Sequence, residues 1–135
     1  MYESFSKSML MFDLRCIHAL KPLGCLEALG MESGAISDKQ ITASSQLDSK
    51  HAPFQGRLHF QVQTKKAGSW SAGINDLRQW LQVDLLSQQT KVACIATQGR
   101  HDTSQWVTKY KLQYSNDGVT FQFYREQGQI ADKVQ

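Results

Sequence analysis

The chain has 135 residues, of which 41% are hydrophobic and 20% charged, so it fits one globular domain and is not a disordered chain. Its formal net charge of +3 is small and scattered along the sequence, which argues against nucleic acid as a partner. No apolar run has the length that a membrane-spanning helix needs.

Residues 1–22 are predicted to be a leader or other non-domain segment, which leaves 23–135 for the domain. An apolar stretch at 9–12 follows Lys7, as in a signal peptide, but Asp13 and Arg15 end it early. No small-residue cleavage site follows. The sequence therefore contains no convincing signal peptide.

The three cysteines, Cys16, Cys25 and Cys94, fit no zinc-binding spacing. A disulfide between Cys16 and Cys25 stays open. Cys94 lies within an apolar stretch, which predicts a small, buried hydrophobic residue.

From residue 36 onward the hydrophobic pattern predicts short β-strands separated by polar turns. Leu81, Val83 and Leu85 alternate with polar residues and are expected to face a core. No segment keeps a helical period, so an antiparallel sandwich or barrel is indicated. The predicted strands cover residues 41–45, 57–63, 78–86, 91–97, 106–115 and 119–126.

Three of these strands carry more detailed expectations. In 57–63, Leu58, Phe60 and Val62 fall on one side. The continuous apolar character of 91–97 predicts burial on both faces. In 106–115 the core face is predicted to hold Trp106, Thr108, Tyr110, Leu112 and Tyr114.

The last two strands are predicted to form a hairpin around Asn116, Asp117 and Gly118. Gly118 can adopt the positive φ that a three-residue loop with a bulge requires.

The residues that chemistry would need do not converge in the sequence. There is no Gly-x-Ser-x-Gly motif, no phosphate-binding glycine loop, no distinctive carboxylate pair and no EF-hand loop. His101 and Asp102 are neighbours and are interpreted as polar loop residues. No catalytic residue, metal site or cofactor is predicted, and the chain is not expected to be an enzyme.

Large amphipathic residues are concentrated in three polar stretches, 47–54, 65–71 and 100–106. Aromatic and basic side chains on loops of a rigid sandwich are typical of a binding surface. Trp106 is interpreted as structural and Trp70 is left open, whereas Leu47 and Phe54 favour binding because no strand accounts for them. The candidate ligand-binding residues are Leu47, Lys50, His51, Phe54, Lys65, Lys66, Trp70, Arg100 and His101.

Several segments between Cys25 and the last residue resemble, in order, the discoidin domain, also called the coagulation factor V/VIII type C domain. They read CLEALGMESGAISDKQITASS, RQWLQVDL, KVACIATQGR, WVTKYKLQYSNDGVTF and FYREQGQ. The resemblance implies an all-β fold, namely an antiparallel jelly-roll β-sandwich of the galactose-binding-domain-like kind. It also implies a non-catalytic module that acts in cell adhesion, secreted or on the extracellular face of the cell surface.

Members of that family bind phosphatidylserine-containing membranes, glycans, collagen or receptor proteins through loops at one end of the sandwich. The corresponding segments here are the first loop (45–55), the second loop (63–71) and the third loop (100–105). The resemblance thus implies as partner a cell-surface glycan, an anionic phospholipid or a receptor or matrix protein, and it allows peripheral membrane contact. It implies no cofactor.

The chain departs from the family pattern in four ways. Cys25 matches the opening cysteine of the family disulfide, but its partner is missing from this chain. The closing C-terminal strands are expected to be missing as well, so the domain is predicted to be truncated. Cys94 stands where many members have a small or β-branched residue. The first loop has Leu47 and Phe54 in place of the paired exposed tryptophans of strong membrane binders.

Two alternatives to an adhesion module follow. One is a carbohydrate-binding appendage of a secreted enzyme, with a sugar stacked on Trp70. The other is a non-functional fragment of a larger adhesion protein.

Overall fold

Short β-strands and 3-10 turns make up the regular structure of the computed structural model, which describes residues 11–16, 27–86, 90 and 92–125. No α-helix occurs among these residues, so the predicted all-β class is confirmed. The strands are β1 (Met11–Cys16), β2 (Glu27–Ala28), β3 (Ile41–Ala43), β4 (Leu81–Val83), β5 (Val92–Gln98), β6 (Gln113–Tyr114) and β7 (Gln122–Phe123). The 3-10 turns are Asp38–Gln40, Ser49–His51 and Pro53–Gly56.

The strands pair in three antiparallel sheets in the described part of the chain. One has the order β2-β1-β5, and the others are the pairs β3-β4 and β6-β7. In the largest, Met11 lies opposite Gln98, and the register shifts between Arg15 and Cys16. The predicted leader, residues 1–22, is described only at 11–16, where it forms β1.

The hydrophobic core lies around Met31, Ile36 and Ile41, which are buried. β3 brings Ile41 opposite Val83 of β4. Because side chains alternate along a strand, the inward residues of this region reach the core together. The prediction for these residues is confirmed, since partly buried side chains pack against the core cluster at Leu81, Val83 and Leu85.

The predicted strand over 57–63 is wrong. The chain turns at Leu58 and His59, where Phe60 N–H donates to the Arg57 carbonyl and His59 has a φ of 57°. Leu58 is buried, but Val62 is exposed, so the alternation does not produce one covered face.

Arg57 explains this turn, because its side chain is anchored in the fold. It is buried, with Nη1 donating to the Met31 carbonyl at 2.7 Å and Nη2 to Asp38 Oδ1 at 2.6 Å. Charge-assisted hydrogen bonds of this kind are stronger than the neutral bonds of a strand ladder. Tertiary contacts thus prevail over the local strand pattern.

The predicted burial of the 91–97 strand on both faces is also wrong, although the strand exists as β5. Val92, Ala93 and Cys94 are exposed, and Ile95 packs only partly against the core. In the described sheet β5 has a partner strand on one edge alone, which leaves its apolar residues incompletely covered. Cys94 is exposed, so the prediction of a small, buried hydrophobic residue is wrong. Cys25 lies outside the described residues, so its missing partner stays a prediction.

The hairpin predicted at 116–118 is present, but its loop is wider than expected. Gln113 pairs with Phe123 and Tyr114 with Gln122, so the loop spans residues 115–121. Gly118 has the expected positive φ, 71°. The loop is wide because Asp117 accepts two backbone N–H groups of the loop itself, which replaces ladder bonds.

The core face predicted for 106–115 is only partly formed. Tyr110 and Leu112 are half-buried, whereas Trp106 and Tyr114 are exposed. The strand is short here, so alternation does not persist along the whole segment.

Candidate functional site

The first and second loops are joined by a seam of backbone hydrogen bonds. Ala67 N–H donates to the Lys50 carbonyl at 2.8 Å, and Leu47 N–H to the Ser71 carbonyl at 2.8 Å. A weaker bond of 3.5 Å runs from Ser71 N–H to the His51 carbonyl. These bonds hold the two loops next to each other, although the loops are separated in the sequence.

Trp70 lies inside this seam and is buried. Its side chain is 2% exposed, and its indole Nε1 donates to the Ser45 carbonyl at 2.9 Å. A buried indole needs such an acceptor, and Ser45 supplies it at the start of the first loop. Trp70 therefore offers no surface on which a sugar ring can stack.

The third loop packs against the second at Gly68. A methyl group added at Gly68 would lie 3.4 Å from His101 Cβ and 3.5 Å from Asp102 Oδ1. The second and third loops are therefore within van der Waals reach of each other at Gly68. All three predicted loops are thereby brought together, as the sequence analysis expected.

The side chains that these loops present to solvent are a subset of the predicted candidates. Leu47 is exposed, and so are Lys50, Lys65, Lys66 and His101. Lys65 occupies a tight turn, in which Gln63 and Lys66 exchange two backbone hydrogen bonds and Lys65 has a φ of 64°. This turn projects two neighbouring lysines from the second loop.

Lys66 also contacts the first loop. Its Nζ lies 5.8 Å from the ring centroid of Phe54 and 6.0 Å from that of Phe60. Both distances are within the range of cation–π attraction. Phe54, a predicted binding residue, is half-buried and supports Lys66 instead of standing free.

Two further predicted residues have side chains engaged inside the protein. His51 Nδ1 lies 2.7 Å from Asp48 Oδ1, and the His51 side chain is largely buried. Arg100 binds the Asp102 carboxylate through Nε and Nη2, and its Nη1 donates to Gln105 Oε1. Neither side chain is presented to a ligand in this arrangement.

These contacts also keep the carboxylates of the loops ionised. The hydrogen bond from His51 and the backbone N–H of Lys50 lower the pKa of Asp48. The hydrogen bond from Arg100 lowers the pKa of Asp102. Both acids therefore have cationic or N–H partners nearby, whereas Lys50, Lys65 and Lys66 point to solvent.

A fourth segment, residues 73–78, adjoins the first loop and was missed by the sequence analysis. A methyl group added at Gly73 would lie 2.5 Å from the Gln46 carbonyl oxygen, so the two backbones touch. The segment exposes Ile74 and Leu77, the latter at 85%, next to the exposed Arg78. The signal was present in the sequence as two aliphatic residues in a polar loop that no strand explains.

We call the combined surface of the first loop, the second loop, the third loop and residues 73–78 the loop face. Asp76 holds its fourth segment in shape, because its carboxylate accepts from Gln79 Nε2 and from the Arg78 N–H at 2.9 and 2.8 Å. The Gln79 and Arg78 bonds lower the pKa of Asp76. The loop face thus combines exposed aliphatic side chains with exposed cations.

Two other kinds of functional feature are absent from the described residues. These residues contain no cluster of three or more histidine, cysteine or acidic side chains placed to hold a metal ion. Among them there is also no helix with the length and apolar character needed to cross a bilayer.

Comparison with known proteins gives a consistent result. The family model described as F5/8 type C domain matches residues 40–135. Human EGF-like repeat and discoidin I-like domain-containing protein 3 is 47% identical over 119 residues, which are 82% of this chain and 24% of that protein. Pig lactadherin is 41% identical over 119 residues, 82% of this chain and 28% of lactadherin.

Coagulation factor V of the pig is 39% identical over an alignment that covers 98% of this chain and 6% of factor V. The chain thus spans about a quarter or less of the length of these relatives.

Proposed function

This chain belongs to the F5/8 type C, or discoidin, domain family, and from that premise we propose that it is a non-catalytic extracellular module that binds anionic phospholipid surfaces through the loop face. In this proposal the domain folds as a jelly-roll sandwich. The module contributes to cell adhesion as part of a secreted or cell-surface protein.

The observation that carries the lipid proposal is the side-chain composition of the loop face. Leu77, Ile74 and Leu47 are 85%, 57% and 39% exposed, and monomeric proteins seldom expose aliphatic residues side by side without a partner. In a lipid surface such residues enter the acyl boundary and gain the free energy of apolar burial.

Exposed cations are present on the same segments and on the adjoining loops. Arg78 is exposed next to Leu77, and Lys50 and Lys65 are exposed on the adjoining loops. Each cation near an anionic membrane contributes about 1 kcal/mol of attraction, which salt screens. Apolar insertion and cationic attraction therefore act at the same surface.

The test is co-sedimentation with vesicles of phosphatidylcholine alone and of phosphatidylcholine with phosphatidylserine. We expect binding only to the anionic vesicles, weakened by raised salt. Leu77→Ser and Arg78→Gln should each reduce it several-fold. The matched controls are Val119→Ser and Lys109→Gln, which remove exposed residues from outside the loop face. Folded protein that ignores anionic vesicles would disprove the lipid proposal.

A glycan is the second candidate, and one observation favours it. Trp106 is 55% exposed where the third loop ends, and an exposed indole is a suitable platform for a sugar ring. The sugar would stack on Trp106 and not on buried Trp70. Glycan-array binding that Trp106→Ala abolishes and Leu77→Ser preserves would support this candidate over the lipid.

A receptor or matrix protein is the partner class that remains if both assays are negative. The loop face supports it through the same exposed aliphatic residues, which also suit protein interfaces. A fragment without function is the remaining alternative. A circular dichroism melt decides that point, since a cooperative transition would count against it.

A further inference from the structure

Polar side-chain atoms without hydrogen-bond partners are concentrated beneath the loop face. Within the part of the chain that the structure describes, they are Oε1 and Nε2 of Gln55, Oγ of Ser69 and Nε2 of His51. Gln55 and Ser69 are both 0% exposed. Buried polar groups in folded proteins are almost always hydrogen-bonded, to protein or to ordered water, so these atoms require partners.

The seam between the first and second loops includes the backbone of His51 and flanks Ser69. The Lys50 carbonyl binds the N–H of Ala67, and the next carbonyl, that of His51, binds the N–H of Ser71. Lys50 and His51, which are adjacent in the first loop, therefore pair with Ala67 and Ser71, which are four residues apart in the second loop. The three residues between Ala67 and Ser71 form a bulge. Ser69 is the middle residue of that bulge, opposite the peptide that joins Lys50 and His51.

Gln55 lies one short turn further along the first loop. It belongs to the 3-10 turn Pro53–Gly56, and its N–H donates to the Ala52 carbonyl at 3.0 Å. The bulge also touches the third loop, since Gly68 packs against His101. The polar atoms thus belong to buried residues of the two loops that the seam joins.

The chemistry of these atoms indicates what binds them. The Gln55 amide offers both a donor and an acceptor, and the Ser69 hydroxyl can act as either. His51 Nδ1 faces the Asp48 carboxylate at 2.7 Å and donates to it, so in the neutral ring Nε2 is an acceptor. A mixture of donors and acceptors does not suit an ion of either sign. It suits a small neutral molecule that can both donate and accept.

We propose that the base of the seam is a binding site for ordered water, which bridges Ser69 Oγ to the side chains of Gln55 and His51. Water is the small neutral molecule that both donates and accepts, and a buried water typically makes about three hydrogen bonds to such groups. The bridge joins the first loop to the second where their backbone ladder is interrupted by the bulge. It holds the two loops at a fixed spacing, whatever ligand the loop face binds.

The decisive experiment uses the unaltered chain. Rotating-frame NMR cross-peaks between water and the side-chain amide protons of labelled Gln55 would reveal a long-lived bound water. A high-resolution crystal structure would show it within hydrogen-bonding distance of Ser69 Oγ and of Gln55 or His51. Direct bonds between these protein groups, or a dry cavity, would overturn the proposal.

Two variants make the assignment specific. Ser69→Ala removes one side of the bridge, so the cross-peaks to the Gln55 amide should be lost or reduced several-fold. Gln113→Met alters an exposed glutamine on β6 and should leave the signal unchanged. Cross-peaks that survive Ser69→Ala at full intensity would contradict the bridge. If Ser69→Ala does not fold, the measurement on the unaltered chain decides alone.

Discussion

The loop face and the β6–β7 hairpin are held together by hydrogen bonds of very different range. In the loop face, Ser45 is bound by Trp70 and Gly73, which lie 25 and 28 residues further along the chain. In the hairpin, Asp117 accepts N–H groups from residues only two and three positions ahead. The comparison teaches that this protein builds its loop face from distant contacts and its simplest turn from local ones.

This difference has a consequence for stability. Removing a distant contact releases two loops at once, whereas removing a local contact loosens one turn. Substitutions in the loop face should therefore lower the free energy of unfolding more than matched substitutions in the hairpin. The four predictions below test that difference, beginning with the largest effect.

Trp70→Ala is expected to have the largest effect. Replacing a fully buried tryptophan by alanine costs about 4 kcal/mol, through lost apolar burial and the cavity left behind. Tyr114→Ala in the half-exposed hairpin should cost less than about 1 kcal/mol. Urea unfolding of both variants measures the two losses in the free energy of unfolding, provided that the m-values are unchanged.

If Trp70→Ala does not fold, Trp70→Phe is the informative variant. It keeps most of the apolar side chain and loses the bond to the Ser45 carbonyl, with an expected cost of about 1–2 kcal/mol. If Trp70→Ala and Tyr114→Ala lowered the free energy of unfolding equally, the expected difference between the loop face and the hairpin would be contradicted.

Gly73→Ala is expected to have the next largest effect, because the added methyl would lie 2.5 Å from the Gln46 carbonyl oxygen. The backbone must move to admit it, at about 2 kcal/mol. The matched variant is Gly118→Ala, where nothing lies within 4 Å but φ is +71°. Only the conformational strain applies there, about 1 kcal/mol. In thermal melts, Gly73→Ala should therefore have a lower Tm than Gly118→Ala.

Acid should loosen the hairpin through Asp117. The N–H groups of Thr120 and Val119 hold the pKa of this carboxyl far below its ordinary value of 3.8. A carboxyl whose pKa is lowered by folding stabilises the folded state fully at pH values above its pKa in the unfolded chain. This stabilisation is lost as the pH falls through its pKa in the folded state. The hairpin should thus be insensitive between pH 7 and 5 and weaken only in stronger acid.

The measurement is an NMR titration of the Val119 and Thr120 amides. Asp117→Asn provides the control, because it removes the titrating charge while keeping an oxygen acceptor. A midpoint at or above the ordinary value would contradict the assigned hydrogen bonds.

Lys65→Gly should have the smallest effect and the opposite sign. Lys65 has a φ of 64°, a conformation that is strained for any residue with a side chain. Glycine relieves that strain but adds entropy to the unfolded chain, so the net gain is about 0.5 kcal/mol. Lys66→Gly should instead destabilise, because Lys66 loses its contacts with Phe54 and Phe60. Chemical denaturation of Lys65→Gly and Lys66→Gly should therefore show a higher free energy of unfolding for the first variant and a lower one for the second.

The parts of the fold that the sequence predicted correctly depend on local patterns. Leu81, Val83 and Leu85 alternate along one segment and pack toward the core as expected. Gly118 has the positive φ that its turn signal indicated. Periodicity and turn chemistry act over a few residues, so they can be read without knowledge of the tertiary structure.

The errors occur where distant residues decide the outcome. Arg57 turns the chain because its partners are Met31 and Asp38, and no local pattern announces them. The apolar run of β5 predicted burial, but burial depends on which elements cover the strand.

The candidate site divides in the same way. The positions of three loops followed from polar stretches and from the family resemblance, and the structure brings those loops together. The exposure of single side chains did not follow. Trp70 is buried, with its N–H bound to Ser45, 25 residues earlier in the chain. Arg100 binds Asp102, a neighbour two residues away, and the polar loop pattern did not reveal this local contact. Ile74 and Leu77 were overlooked because their segment gains significance only through the contact between Gly73 and the first loop.

The close approach of Gly73 to Gln46, together with the packing of Gly68 against His101, sets the size of the unit that protein engineers can transplant. At Gly73 an added methyl would lie 2.5 Å from the Gln46 carbonyl oxygen, so a transplanted first loop with a different backbone path would not fit against this position. Chimeras that exchange one loop should therefore lose affinity and stability together. Chimeras that exchange the whole loop face, with both glycines included, should carry their specificity with them.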